Sequence, residues 1–172
     1  MKEIKGNMFD HIGRADMICI TTNGFVKRDG TCVMGRGCAA AAVKRWPNIA
    51  TILGRRIATD GGNRIHVLTE DHNTLIASFP VKPISRAYDK SKIVSHIRNR
   101  IKPGERIPGW ACIAELDIIR QSAYELVEIA NKRGMKDVII PRPGCGAGEL
   151  SWDLVQPMLA GILDDRFSAI TF

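Results

Sequence analysis

An α/β layered fold is predicted by the way this chain alternates apolar strands with segments of helical periodicity. Two glycine-rich turns support it: 33–38, Val-Met-Gly-Arg-Gly-Cys, and 141–148, Pro-Arg-Pro-Gly-Cys-Gly-Ala-Gly, each lie between an apolar run and a helical one. No internal repeat, low-complexity block or linker interrupts that order. With 172 residues, 45% hydrophobic and 25% charged, the chain is long enough to bury a continuous core and is expected to form one domain over 1–172.

Residues 17–21 form the first strand, a short apolar run followed by a polar loop through Asn23-Gly24 and Arg28-Asp29-Gly30. The alanine-rich segment 38–46 has the propensity of a helix, which Pro47 ends. Residues 64–68 and 75–79 read as two strands around a polar turn at 70–73, with Pro80 closing the second. A long helix over 115–132 places Leu116, Ile119, Ala123, Leu126 and Ala130 on one face, and Gly134 stops it. Residues 138–140 are a core strand; Trp152, Val155, Leu159, Ile162 and Leu163 then follow helical spacing, and 168–172 is a final strand.

Several function classes are disfavoured by composition. No apolar run approaches membrane-spanning length and the N-terminal residues lack the apolar core of a signal peptide, so the cytoplasm is the expected location. The five cysteines include no Cys-x-x-Cys pair and have no histidines at zinc-ligand spacing, so neither a disulfide framework nor a metal site is expected, and the thiols read as small buried apolar groups. A net charge of +7 favours anionic partners, nucleotides or nucleic acid. The densest basic stretch, Lys82, Arg86, Lys90, Lys92, Arg98, Arg100, Lys102 and Arg106, reads as a solvated helix face.

Glycine at a strand-to-helix turn lets main-chain N–H groups approach an anion, and the helix start adds unpaired donors, so each turn is a candidate phosphate cradle. Two cradles on one sheet suggest a diphosphate. The bland reading, that these glycines only permit tight turns, applies to each turn taken alone. If the cradle reading holds, a bulky residue at Gly146 or Gly148 abolishes binding and leaves the chain folded.

These residues resemble a macro domain, the α/β/α module that binds ADP-ribose. The segment 15–24, Ala-Asp-Met-Ile-Cys-Ile-Thr-Thr-Asn-Gly, followed by 33–39, is similar to the family's first strand, asparagine and glycine loop; 141–152 is similar to its second phosphate loop, Pro-Arg-x-Gly-Cys-Gly-x-Gly-x-Leu-x-Trp. The resemblance implies a three-layer α/β/α fold with a central mixed sheet. It also implies a ligand site drawn from Asn7, Met8, Thr22, Asn23, Met34, Gly35, Arg36, Gly37, Cys38, Phe79 and Pro80, together with Pro141, Gly144, Cys145, Gly146, Ala147 and Gly148. Asn23 corresponds to the ribose-contacting asparagine, although Asn23-Gly24 also reads as a plain turn. No metal or cofactor is implied, and the expected partner of a monomer is ADP-ribose or an ADP-ribosylated macromolecule.

Within the family, the first loop and Ser-Phe-Pro-Val-Lys at 78–82 look like the branch that includes terminal ADP-ribose protein glycohydrolases, antitoxins that remove ADP-ribose from DNA thymidine, and phage macro domains. In the DNA-acting antitoxins a lysine after Phe-Pro-x takes part in cleavage, and Lys82 stands there. Burial or a neighbouring cation such as Arg86 would lower its pKa and free a nucleophilic amine; a charged Lys82 would stabilise a leaving group instead. Two departures stand out: Gly6-Asn7-Met8 replaces the usual Gly-Asp-Ile, which weakens the adenine contact, and Gly148 replaces a second-loop aspartate, with Glu149 next to it as a substitute acid. An acidic residue there is equally explained by the helix dipole. Hydrolysis of an ADP-ribosyl link, dephosphorylation of ADP-ribose 1″-phosphate and non-catalytic reading of ADP-ribosylation all remain open from the sequence.

Overall fold

Four consecutive fully buried residues, Met17 to Ile20, set the centre of the sheet, because a strand covered on both faces must be apolar at every position. The computed structural model describes residues 1–171, which run β1 (Lys2–Lys5), β2 (Met17–Asn23), α1 (Gly37–Arg45), α2 (Ile49–Thr59), β3 (Val67–Asp71), β4 (Thr74–Lys82), β5 (Ser85–Arg86), β6 (Ile107–Pro108), α3 (Leu116–Arg133), β7 (Val138–Pro141), α4 (Trp152–Ala160) and β8 (Phe167–Thr171). Among these residues a six-stranded sheet has the order β1-β8-β7-β2-β4-β3. All its pairings are parallel except the β3–β4 hairpin, so the sheet is mixed.

Side-chain alternation sorts the two faces. Met17, Cys19, Ala77, Phe79, Val138 and Ile140 pack under Ile119, Ala123 and Leu126 of α3 and Val155 and Leu159 of α4. Ile18, Ile20, Ile76 and Ile139 pack on the other face against Ala39 and Ala42 of α1 and Ile49 and Leu53 of α2. The architecture is three-layered, α/β/α. α3 ends as its sequence predicts: Gly134 is left-handed at φ 66°, and its N–H reaches the Ala130 and Asn131 carbonyls.

The structure departs from the sequence reading in several places. β1 is an edge strand with only Ile4 partly buried, so it carries no apolar pattern to read. α2 follows α1 almost at once, and its central Gly54 disguises it. β4 does not close at Pro80 but runs on to Lys82. Its pairing with β3 ends at Val67↔Ala77 and the Ser78 N–H still reaches the His66 carbonyl at 2.9 Å, so beyond Ser78 that edge needs no ladder N–H and proline is tolerated. Ile162 and Leu163 lie past the end of α4, and the final strand is Phe167–Thr171, Phe172 lying outside the described residues.

The basic stretch is not a helix face. Residues 83–115 form a separate cap of three 3-10 turns and the β5–β6 pair, closed around Ile93, Val94, Ile97, Ile107, Ala111 and Cys112. Pro83, Pro103 and Pro108 rule out a continuous helix there, and its apolar residues turn inward on themselves. Among the described residues, no helix is long and apolar enough to cross a membrane.

Gly54 tests the α2 packing. A Cβ there would come within 2.0 Å of the Gly30 carbonyl oxygen, a backbone atom that cannot swing aside. Gly54→Ala is expected to cost about 3 kcal/mol or more, against the slight gain of Gly→Ala in an unobstructed helix, as read from the urea midpoint.

Candidate functional site

β2 and β7 are parallel neighbours, so the loops leaving their C-terminal ends open side by side, where ligands of α/β sheets bind. Between them lies a cavity of about 690 Å³. Its lining brings together Met8, Thr22, Asn23, Met34 to Cys38, Lys82, Pro141 and Gly144 to Gly148 from the sequence-derived set.

The first loop is pinned by Asn23, which is 9% exposed: Nδ2 donates to the Val33 carbonyl at 2.8 Å and Oδ1 accepts from the Phe25 amide at 3.0 Å. Asn23 is thus the brace of the loop as well as part of its lining. Arg36 caps α1 without a side-chain acceptor. Among the described residues, the amides of Gly35, Arg36 and Gly37 donate to no acceptor in the chain, those of Cys38 and Ala39 turn toward the Cys38 thiol, and the first to bond a carbonyl is Ala40, to that of Arg36. The second loop repeats the arrangement. Its outer frame is closed by Glu149 N–H to Gly146 O and Leu150 N–H to Gly144 O, both at 3.0 Å, while the amides of Gly146, Ala147 and Gly148 have no acceptor among the described residues.

The glycines divide by role. A Cβ on Gly35 or Gly146 would meet nothing within 4 Å, and neither residue has a positive φ, so nothing within the chain requires glycine at either position. Gly148 is different: a Cβ there would lie 2.5 Å from the Gly144 carbonyl oxygen and 2.7 Å from Ala114 Cβ. The expectation that Gly148 can be enlarged without harm to folding is therefore corrected.

Lys82 reaches the cavity from the end of β4. A register shift between Thr22 and Asn23 makes Pro80 and Lys82 their successive partners. Only 7% exposed, Lys82 donates from Nζ to the Ala147 carbonyl at 2.8 Å and the Trp110 carbonyl at 3.4 Å. Burial lowers its pKa to about 8; Glu149 opposes that shift and Arg36 adds to it. Arg36, not Arg86, is the relevant cation, because Arg86 is ion-paired with Glu115. The thiols in the lining are not activated: burial raises Cys38 and pushes Cys145 up to about 11. All five cysteines are free, and no cluster of metal-ligating side chains occurs among the described residues.

Four sequence-derived candidates stand outside the lining. Asn7 caps the short turn Met8–His11, its Oδ1 accepting from the Phe9 amide at 3.1 Å. Phe79 is fully buried in the core, and Pro80 gives its carbonyl to Ser122 Oγ at 2.8 Å. The Glu149 carboxylate accepts from Ser95 N at 2.8 Å and Ser95 Oγ at 2.7 Å, which hold its pKa below the usual range. It ties the second loop to the cap and is not free to serve as a base.

Other lining residues were not anticipated. His96 and Trp110 arrive from the cap, whose placement no local pattern announces. Arg142 and Trp152 were legible within the second-loop pattern: the Arg142 guanidinium lies 4.8 Å from the Trp152 ring centroid, and Glu3 accepts from Arg142 at 2.9 Å and from the indole N–H at 3.0 Å. Thr22 Oγ1 is buried in this lining without a partner.

The depressed pKa of Lys82 has a sign that can be tested. Between about 8 and 10.5 the unfolded chain holds a proton that the folded one has released, so stability from this group rises with pH and is lost as pH falls through 8. Lys82→Met is expected to remove that part of the slope, measured as urea midpoints at about pH 7 and about pH 9.5 for both proteins.

No protein-family model matches the sequence, and no curated protein matches it. Solved structures do. DarTG of Thermosipho africanus, in complex with ADP-ribose, superposes with a TM-score of 0.69 at 19% identity over 98% of this chain, which spans 41% of that one. The macrodomain of Mycobacterium tuberculosis DarG gives 0.68 at 19% identity, covering 98% of this chain and 95% of that one. The macrodomain of Thermus aquaticus DarG gives 0.70 at 16% identity, covering 99% and 97%. At these identities the likeness is one of architecture, and it agrees with the sheet order and the two facing loops: this chain has the macro-domain fold.

Proposed function

We propose that this protein binds ADP-ribose, with the diphosphate between its two glycine loops, and hydrolyses an ADP-ribosyl linkage on a modified nucleic acid or protein, with Lys82 as nucleophile. One observation carries the reading: two runs of main-chain amides without acceptors line the same cavity, and the amine of Lys82 lines it too. Most of these amides stand on exposed residues at a helix start or a loop, open to whatever enters the cavity, and such runs suit an anion with several oxygens. A volume of about 690 Å³ suits a small-molecule ligand. The complex of the Thermosipho africanus relative with ADP-ribose is consistent with this ligand, and free thiols suit a reducing cytoplasm.

The chemistry follows from the state of Lys82. With a pKa near 8, a substantial fraction of its amine is neutral at physiological pH. In the open-chain form of the distal ribose, the target group is attached at C1″. The amine adds to C1″, its proton passes to the target group, and the bond from C1″ to that group breaks. This leaves a Lys82 imine. Water adds to the imine carbon and the C1″–Nζ bond breaks, which releases ADP-ribose as the aldehyde and restores the amine. The balance is one water consumed for one ADP-ribose and one unmodified target formed. Carbonyl oxygens of Ala147 and Trp110 steady Nζ before attack.

The test sets ADP-ribosylated DNA, ADP-ribosylated protein and ADP-ribose 1″-phosphate in parallel, with Lys82→Ala as control. Release of ADP-ribose from a macromolecule by the native chain, and its loss in Lys82→Ala, is expected. Release of inorganic phosphate identifies a phosphatase, and binding without turnover identifies a reader; either overturns the hydrolase. Gly146→Leu is expected to stay folded and to lose about tenfold or more in calorimetric ADP-ribose affinity, the worth of one or two charge-assisted hydrogen bonds.

A further inference from the structure

Beyond Ala77 the end of β4 has lost β3, and its main-chain carbonyls on Pro80, Val81 and Lys82 are satisfied one by one from elsewhere. Ser122 Oγ donates to Pro80, the Glu115 amide donates to Val81 at 2.9 Å, and Asn63 Nδ2 donates to Lys82 at 2.9 Å. The third bond differs from the other two. Lys82 precedes Pro83, which has no N–H, so the Lys82 carbonyl is the only hydrogen-bonding group on the peptide unit joining strand to cap. Asn63 therefore fixes the plane of that unit.

Asn63 is itself seated by Gly24. A Cβ on Gly24 would lie 2.7 Å from Asn63 Cγ and 2.7 Å from Ile84 Cγ1, so the amide side chain occupies space that only glycine leaves open. Asn63 belongs to the loop between α2 and β3 and is not part of the cavity lining. Its route to the site is through the Lys82 main chain.

We infer that Asn63 is a positioning residue for the Lys82 amine, seated by Gly24 and acting through the Lys82 carbonyl. The inference rests on the reading of Lys82 as nucleophile. Attack on C1″ depends on where Nζ stands, and displacement of about 1 Å can cost a hundredfold in rate. Asn63 lies in neither glycine loop, so a side chain that holds the Lys82 peptide plane from there governs attack without governing the diphosphate cradle.

ADP-ribose is a reducing sugar, so its C1″ aldehyde can form an imine with Lys82, with loss of water, and cyanoborohydride delivers hydride to that carbon to give a stable secondary amine. The experiment measures the rate of this trapping at Lys82 by peptide mass spectrometry, at saturating ADP-ribose, beside calorimetric affinity and melting temperature. Asn63→Asp keeps the shape but replaces the donor with a carboxylate; Gly24→Ala displaces Asn63 from its seat. Both are expected to slow trapping about tenfold or more while affinity stays within about twofold. Trapping at the native rate in both folded variants overturns the inference alone, and so does a loss of affinity in proportion to the loss of trapping. Binding of ADP-ribose by the native chain with no adduct at Lys82 overturns the nucleophile and Asn63's role together.

Discussion

Parallel pairing of β2 with β7 is the constraint from which the site follows. Two strands that run the same way and lie side by side must send their next segments out over the same edge. Each of those segments is a glycine loop entering a helix, and each leaves a run of amides without acceptors. Antiparallel pairing would put the loops at opposite ends of the sheet. The arrangement is redundant: several main-chain donors, none of them a charged side chain, open on one cavity, and the strands that hold them are buried along most of their length.

A second constraint is the early end of β3. Because β4 continues past its partner, it can carry a proline, accommodate a register shift against β2 and deliver a lysine into the cavity. The tolerance for irregular backbone at this edge is what allows Lys82 to be buried at all. The cap then covers it. The end of β4 and the cap meet the second loop at three successive residues: Lys82 Nζ of β4 meets Ala147 O, and from the cap Ala114 N–H meets Gly148 O at 2.9 Å and Ser95 meets Glu149. Glu149 holds its place at φ 60°, a left-handed conformation unusual for a residue with a Cβ. The contacts of its carboxylate with Ser95 offset the cost of such a position.

Much of this was legible in the sequence, and the illegible parts share physical reasons. The layers, the long α3 with its glycine stop and the two loops could be read because burial on one face leaves a period, and a close backbone approach leaves glycine. β1 left no trace because an exposed edge strand of charged residues has no period. The cap was misread because charge density along a chain does not distinguish a helix from a set of short turns; only its prolines spoke against a helix. Lys82 could be placed by resemblance, but its surroundings could not. Glu115, which holds Arg86 away from it, and Asn63 come from segments distant in sequence. The glycine loops show the same limit, since Gly146 and Gly148 look alike as letters, whereas one faces open space and the other packs against Gly144 and Ala114.

The electrostatics of Lys82 depend on what it is not paired with. A buried ammonium beside a carboxylate would keep its proton, because the ion pair would offset the loss of solvation. Here the nearest acceptors are two carbonyls, which are dipoles and not charges, and they return only part of what water gave. Glu149 is close enough to oppose the shift, but its carboxylate is turned to Ser95, while Arg36 adds to the shift. A diphosphate in the cradle would add negative charge beside Arg36 and offset that repulsion, so an occupied site should hold Lys82 closer to its ordinary pKa than an empty one. Under the proposed function, binding and reactivity would therefore be opposed at this residue. If the proposed ligand binds there, burial under the cap, rather than any single neighbour, is what would keep the amine short of a full charge.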